Sequence, residues 1–189
     1  MPKIICFNGP PYCGKDTAVK ALWMAHETST PLKFAGPLKA AVAAAFSLTA
    51  REQTFFFETP AKDVAVDRFF GKTPREVLIS FSEEWAKPLF GEDVFGRWAA
   101  QRIEGELRRF DTILVSDCGF QSEFDVMVET FGVSSVLLAE IQRPGCSFTN
   151  DSRGAIDPRG AFHVVLHNVG TLGEFEAQVH GVAQWFMGR

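Results

Sequence analysis

Short apolar runs alternate along the chain with longer stretches in which apolar residues recur every three or four positions. Five such runs predict strands, at residues 3–8, 31–35, 112–117, 134–142 and 161–168. The first, KIICFN, is a compact apolar run, as is typical of a strand that is covered on both faces. Because helical patterns fill the intervals, the order predicts an α/β fold: one parallel five-stranded sheet with helices on both faces.

The helical stretches carry recognisable start signals. Helices are predicted at residues 16–27, 37–46, 74–85, 92–110, 122–131 and 171–186. Thr73 and Thr171 each stand three residues before a glutamate, which predicts two capping boxes, and Ser122 is the predicted cap of another helix. Residues 47–72 mix aromatic, charged and proline residues, and we interpret them as an insertion with some helix.

Composition narrows the classes of function. The chain has 189 residues and a net charge of −4, which fits a single domain and disfavours a nucleic acid polymer as partner. No apolar stretch approaches the ~20 residues that cross a bilayer, so no membrane association is expected. The four cysteines are widely spaced, which favours reduced thiols and a cytoplasmic location.

The segment GPPYCGKDT follows the first predicted strand and resembles the phosphate-binding pattern G-x-x-x-x-G-K-[ST]. Gly9 and Gly14 let the backbone turn its N–H groups inward, and Lys15 can reach the phosphates of ATP. Asp16 stands where Ser or Thr is usual and Thr17 follows one position later, but a carboxylate is also a good Mg²⁺ ligand. The remaining predicted nucleotide contacts of the loop are Pro10, Tyr12 and Cys13.

Other polar residues follow the later strands. Asp117 ends the third predicted strand, Arg143 follows the fourth and Asn168 follows the fifth. Ligands of open parallel sheets bind beyond the carboxyl ends of the strands. These residues are therefore predicted to lie near the glycine segment.

Several segments occur in the order found in the deoxynucleoside monophosphate kinases of bacteriophages and some bacteria. The segments that resemble this family are GKDT (14–17), FAGPLK (34–39), AKD (61–63), GKTPREVLISFSEEW (71–85), ILVSDCGFQSEFD (113–125), RPG (143–145) and HNVGTLGEF (167–175). The resemblance covers nearly the whole chain. It implies a P-loop NTPase fold like that of nucleoside monophosphate (NMP) kinases, with an NMP-binding insertion at about 36–90 and a lid loop at about 143–160.

The resemblance also implies an activity and its residues. ATP with Mg²⁺ would phosphorylate a deoxynucleoside 5′-monophosphate in the cytoplasm, or in the host cytoplasm if the chain is phage-encoded. Lys15, Arg143, Asp117 and Arg153 would be catalytic, with Arg159 as a further candidate, and Asp16, Thr17 and Asp117 would serve the metal. Asn168 would lie where adenine packs. The acceptor would be bound by Lys39, Lys62, Arg75, Glu84 and Trp85. The family also suggests a homodimer, for which the sequence shows no diagnostic interface.

The chain departs from the family at three positions. Gly119 replaces an arginine, Ile79 replaces a glutamine, and Lys87 stands where an arginine is expected. An ammonium does not reproduce the two-point grip of a guanidinium on phosphate, so the departures bear mainly on the acceptor site. Three readings follow from them: altered substrate choice, a compensating arginine elsewhere, or lost activity.

Two alternative functions stay open at this point. Another small-molecule kinase of the same fold, such as a phosphomevalonate kinase, can also carry a GKD loop. A catalytically silent nucleotide-binding module would explain the missing arginines.

Overall fold

The computed structural model describes residues 1–149 and 151–188. Five strands form one sheet in the order β2-β3-β1-β4-β5, and every neighbouring pair is parallel. The strands are β1 (Lys3–Asn8), β2 (Ser29–Leu32), β3 (Thr112–Val115), β4 (Val136–Gln142) and β5 (Phe162–His167). The prediction of an α/β fold with a parallel five-stranded sheet flanked by helices is confirmed.

Helices fill the intervals between the strands. They are α1 (Lys15–Ala25), α2 (Gly36–Ala45), α3 (Ala50–Glu58), α4 (Pro74–Ser80), α5 (Lys87–Phe90), α6 (Val94–Glu106), α7 (Gln121–Phe131) and α8 (Leu172–Met187). Short 3-10 turns occupy Pro60–Asp63 and Asp67–Phe69, and a π-helical turn occupies Phe81–Ala86. Among the described residues, no helix is long and apolar enough to cross a membrane.

The chain divides into two compact units. The first comprises residues 1–34 together with the described residues from 96 onward, and it contains the sheet. The second is the helical segment 35–95. In the second unit, Phe69 is buried and its ring packs against the rings of Phe46 and Phe56.

In the first unit, apolar side chains fill both faces of the sheet because alternate residues of each strand point to opposite sides. On one face Ile4, Ile113 and Leu138 pack with side chains of α6 and α7, such as Ile103 and Phe124. The other face packs against α1 and α8. The central strand β1 is buried along its whole length, so its carboxyl end is a firmly held starting point for the loop that follows.

The second strand lies earlier than predicted. Residues 29–32 pair with 112–115 of β3, whereas the sequence predicted a strand at 31–35. The polar residues Ser29 and Thr30 hid its beginning, and Pro31 fits because β2 is at the edge of the sheet. The predicted residues 33–35 lie beyond the paired segment, where the N–H of Phe34 donates to Asp117 Oδ1 at 2.9 Å.

Two helix predictions also need correction. Ser122 does not cap α7: the helix begins one residue earlier, and its N-cap is Phe120, which makes no side-chain capping bond. The helix predicted at 74–85 is α-helical only to Ser80 and then widens into the π-helical turn. Pro88 explains the change, because it lacks an N–H and its ring crowds the preceding turn.

Both predicted capping boxes are present. The Thr73 hydroxyl accepts from the N–H of Glu76, and the Thr171 hydroxyl accepts from that of Glu174. A third box, between Thr49 and Glu52, starts α3 inside residues 47–72, the predicted insertion with some helix. The pattern TARE at 49–52 is the same signal, so this helix was predictable.

Candidate functional site

The loop from Gly9 to Thr17, hereafter the glycine loop, joins the end of β1 to the start of α1. Gly9 has φ +148°, Gly14 has φ +116°, and Tyr12 also has a positive φ of +64°. Gly14 is the N-cap of α1 and supplies no side-chain hydrogen bond. The first-turn N–H groups of a helix have no partner within the helix, and α1 therefore presents them at the mouth of the loop.

Lys15 is folded into the glycine loop. Its Nζ donates to the carbonyl oxygens of Gly9 at 2.5 Å and Pro10 at 2.7 Å, and the side chain is buried. Burial lowers the pKa of Lys15, and the nearby charge of Arg153 lowers it further. The thiol of Cys13 lies 3.7 Å from the ammonium. Two carbonyls thus hold this cation in a position from which an anionic ligand could recruit it.

Asp16 points outward beside the loop. Its Oδ1 accepts from the Ser116 hydroxyl at 2.9 Å and lies 3.5 Å from Lys33 Nζ, and 81% of the side chain is exposed. Partial burial opposes a lowered pKa, but Lys33 and the Ser116 hydroxyl outweigh it, so the pKa of Asp16 is lowered. Asp16 is therefore an ionised, accessible carboxylate at neutral pH. Thr17 follows it in the first turn of α1 and is partly buried.

The predicted residues at the other strand ends do converge on this region. Arg143, after β4, donates from Nη1 to the carbonyl oxygen of Tyr12 at 3.1 Å. Asn168, after β5, donates from Nδ2 to the carbonyl oxygen of Cys13 at 2.8 Å. Asp117, after β3, has its Oδ1 engaged by the N–H of Phe34. Arg143 and Asn168 thus brace the loop backbone directly, whereas Asp117 holds the chain after β2.

Arg153 is held by a neighbouring carboxylate. Its Nε and Nη2 donate to the two oxygens of Asp151 at 2.8 and 2.7 Å. The hydrogen bonds from Arg153 hold the pKa of Asp151 at about 2. Arg159 behaves differently, because its Nε contacts Asp125 at 3.2 Å and it also pairs with Asp157. The charge of Arg153 also lowers the pKa of Lys15. Asn150, within the predicted lid, lies outside the described residues.

Three residues of the site were missed by sequence reasoning. Buried Asn8 donates from Nδ2 to the carbonyl oxygens of Cys118 and Gly154, both at 2.9 Å. Ser116 and Asp151 orient Asp16 and Arg153. Asn8 had a usable signal, since it is the one uncharged polar residue in an apolar strand. The contacts of Ser116 and Asp151 depend on pairing across distant segments, which spacing along the sequence does not reveal.

A cavity of about 550 Å³ opens beside the glycine loop. It lies at the ends of β4 and β5, on the side of the loop opposite to β3. Its lining includes Gly9, Pro10, Gln142, Arg143, His167 and Val169. Its size is in the range of pockets that bind small molecules.

The residues predicted to bind the acceptor all lie in the second unit. Their polar groups are engaged within it: Arg75 forms a two-point pair with Asp63, Lys39 Nζ lies 2.6 Å from Glu58 Oε1, and Ser80 donates to Glu84. Trp85 is 45% exposed and packs edge-on against Phe90, and Lys62 is partly buried in the 3-10 turn 60–63.

Lys87, the lysine that replaces an expected arginine, is also paired. Its Nζ lies 2.6 Å from Glu83 and 3.6 Å from Glu92, and only 12% of its side chain is exposed. Ile79, the residue in place of a glutamine, is 53% exposed. Lys87 therefore serves an ion-pair network inside the second unit.

Comparisons with known proteins identify a fold. No family model matches the sequence, and no match is found among curated proteins. The chain is similar to the crystal structure of TT1252 from Thermus thermophilus, with a TM-score of 0.50 and 20% sequence identity over 96% of each chain. At this identity the likeness shows the fold alone. The chain thus has a five-stranded, all-parallel α/β fold with a cluster of cationic side chains at the carboxyl ends of its strands.

Proposed function

We propose that the protein is a P-loop kinase of the NMP-kinase type, which transfers a phosphoryl group from ATP to a deoxynucleoside 5′-monophosphate. One observation carries the proposal: Lys15 lies inside a glycine loop that leads into an uncapped helix N-terminus. Backbone N–H groups, a helix dipole and an ammonium together form a site for phosphate. The proposal of a deoxynucleoside monophosphate as the acceptor rests on the order of the segments that resemble the deoxynucleoside monophosphate kinases.

Lys15 would exchange the carbonyl oxygens of Gly9 and Pro10 for phosphate oxygens. The exchange is favourable because phosphate oxygens carry negative charge, so that donor and acceptor are both ionised, whereas the carbonyls are neutral acceptors. Arg143, which contacts the loop at Tyr12, adds a second cation at the loop. Phosphoryl transfer requires mainly positioning and charge neutralisation, and these side chains provide both.

The residues present fit Mg²⁺ bound together with nucleotide. Asp16 is ionised and exposed at the loop, with Thr17 beside it. Within residues 1–149 and 151–188, no three His, Cys, Asp or Glu side chains group closely enough to hold a metal ion. The ion would therefore take most of its ligands from phosphate and water, as Mg²⁺ does in many ATP sites, and would neutralise charge on the phosphate oxygens. Asp117, whose Oδ1 accepts from the N–H of Phe34, would support the ion through a water molecule rather than bind it directly.

The cavity beside the loop suits the nucleoside of ATP. It adjoins Gly9 and Pro10 on one side and Arg143 on the other, so a nucleotide could continue from the loop into the cavity. Asn168 would fix the loop wall next to it through its bond to Cys13. In the proposed lid, residues 143–160, Arg143 and Arg153 are the cations that contact or influence the loop.

The decisive experiment compares Lys15→Ala with Lys20→Ala, an exposed lysine on the same helix, as the matched control. ADP formation from ATP plus a mixture of deoxynucleoside monophosphates should fall at least about a hundredfold in the first variant, a typical cost of removing a transition-state contact. It should stay near the wild-type rate in the second. Equal rates in Lys15→Ala and the wild type would reject the scheme.

An acceptor screen separates the proposal from another small-molecule kinase of the same fold. The eight common NMPs and dNMPs would be compared with phosphomevalonate and shikimate in the same coupled assay. Turnover confined to phosphomevalonate or shikimate would transfer the proposal to that rival, while Lys15 would keep its role.

A silent nucleotide-binding module is the second candidate. The ion pairs of Arg75, Lys39 and Lys87 favour it, because each of these three cations is already matched by a carboxylate. Saturable ATP binding that depends on Lys15, without turnover of any acceptor in the screen, would establish this second function.

A further inference from the structure

The side chain of Arg153 rests on the bare backbone of Gly119. A methyl group at position 119 would lie 2.5 Å from both Cγ and Cδ of Arg153 and 2.8 Å from its Cβ. Real carbon atoms do not approach so closely, so any side chain at 119 would displace the arginine. The N–H of Gly154 also donates to the carbonyl oxygen of Gly119 at 3.1 Å, which ties the two segments together.

Asn8 fixes this contact to the centre of the sheet. Its amide Nδ2 reaches the carbonyl oxygens of Cys118 and Gly154, the residues next to Gly119 and Arg153. Asn8 is itself buried at the end of β1, immediately before the glycine loop. The position of Arg153 is thus set from the strand that also positions Lys15.

The guanidinium of Arg153 is oriented by Asp151, and it interacts electrostatically with Lys15 and Cys13 of the glycine loop. The two carboxylate oxygens of Asp151 accept hydrogen bonds from the guanidinium, and 28% of the Arg153 side chain is exposed. Hydrogen bonding to Asp151 is the main cause that raises the pKa of Arg153, and Asp117 adds to it. The cation is therefore permanent and reachable from solvent, and its charge acts on Lys15.

We infer that Gly119 is a positioning residue, which leaves room for Arg153 to bind the terminal phosphates of a triphosphate held in the glycine loop. The inference rests on the proposed phosphate site. It accounts for the departure at 119, where the family resemblance leads one to expect an arginine: side chains at 119 and 153 cannot occupy the same space. The chain presents its guanidinium from the loop after β4 instead.

Binding requires Arg153 to exchange one partner for another. The planar fork that grips the two oxygens of Asp151 has the geometry to grip two phosphate oxygens. A triphosphate carries more negative charge than one carboxylate, and in the glycine loop it would meet the charges of both Lys15 and Arg153. The ion pair with Asp151 therefore keeps the guanidinium oriented until the anion arrives.

The test is a double-mutant cycle on the affinity for inorganic tripolyphosphate, measured by calorimetry. The proteins are the wild type, Gly119→Ala, Arg153→Ala and the double variant. Gly105→Ala is the control, since nothing lies within 4 Å of that glycine. We expect each single variant to bind about tenfold more weakly, equivalent to about 1.4 kcal/mol. The double variant should bind no more weakly than Arg153→Ala, because the methyl group then has no arginine to displace.

Each outcome decides the matter. Wild-type affinity in Arg153→Ala, or a Gly119→Ala loss that persists without Arg153, would overturn the inference. Circular dichroism of all five proteins identifies any variant that unfolds. If Gly119→Ala alone unfolds, the double variant remains informative, because without the Arg153 side chain the methyl group at 119 has nothing to collide with. The expected cycle without turnover of any acceptor would reject the kinase but keep the inference. If the wild type binds no tripolyphosphate, both the proposed phosphate site and the inference about Gly119 are rejected.

Discussion

At the scale of single residues, Gly9 combines two demands that no other residue type meets. Its φ of +148° is rarely adopted by residues with a side chain, and an added methyl group would lie 2.6 Å from the carbonyl oxygen of Ile141. That oxygen belongs to the backbone of β4 and cannot swing away. Gly9 therefore lets the glycine loop pass directly against the neighbouring strand, which brings the loop to the cavity beside it.

Replacing Gly9 by alanine should expose both costs. We expect Gly9→Ala to lower the free energy of unfolding by at least about 2 kcal/mol, from backbone strain and collision together. Gly145→Ala separates the two, because Gly145 has φ +78° but nothing within 4 Å, and it should lose only about 1 kcal/mol. Urea unfolding monitored by circular dichroism measures both. Similar losses in the two variants would show that the approach to Ile141 is unimportant.

At the scale of elements, α3 shows how a local signal specifies a helix within a segment of mixed composition. Its capping box joins Thr49 and Glu52: the Thr49 hydroxyl accepts from the N–H of Glu52, and Glu52 Oε2 accepts from the N–H of Thr49 at 2.7 Å. Both bonds satisfy groups that the helix start leaves without partners.

Loss of this cap should be measurable against a control in the same helix. Thr49→Ala should destabilise the fold by about 1 kcal/mol, because the N–H of Glu52 loses its acceptor. Thr54→Ala changes the same side chain in mid-helix, where alanine is the better helix former, and should be neutral or slightly stabilising. Hydrogen exchange of the α3 amides, which reports the free energy of opening of the second unit, compares the two. A loss in Thr54→Ala as large as that in Thr49→Ala would contradict the capping role.

The same contrast explains which elements were predictable from the sequence. The strands β1, β3 and β4 follow from burial on both faces, and both capping boxes found by pattern follow from interactions local to the chain. The misplaced β2 depends on pairing with β3, and the π-helical turn depends on Pro88 acting back on the residues before it. Such effects involve partners that periodicity does not display.

In the candidate site, too, local sequence patterns were predictable and contacts between distant segments were not. The glycine loop was predictable, since its geometry depends on a contiguous pattern, and Arg143 and Asn168 followed from the rule for strand ends. The contact between Arg153 and Gly119 was not predictable, because it joins residues 34 positions apart and depends on the absence of a side chain at 119. The sequence shows only that position 119 lacks the expected guanidinium. The three-dimensional contact shows that Arg153 occupies the space beside Gly119.

At the scale of the whole molecule, the two units differ in what holds them together. The sheet and both large apolar clusters belong to the first unit, whereas the second consists of short helices and turns. Segments with less buried apolar surface open at a lower free energy than the core of a protein. The second unit should therefore open locally while the sheet stays intact.

Hydrogen exchange followed by mass spectrometry tests this difference and its link to nucleotide. Amides of α3 and α4 should exchange through local opening, and those of β1 and β4 only through global unfolding. The residues proposed to bind ATP belong to the first unit, so ATP at a hundred times its Kd should add about 2.7 kcal/mol of protection to β1 and β4. Openings that leave that site intact gain nothing, so α3 and α4 should be unaffected, and Lys15→Ala should abolish the effect. Equal slowing of both units by ATP would mean that they open as one, and that acceptor-side residues share in binding ATP.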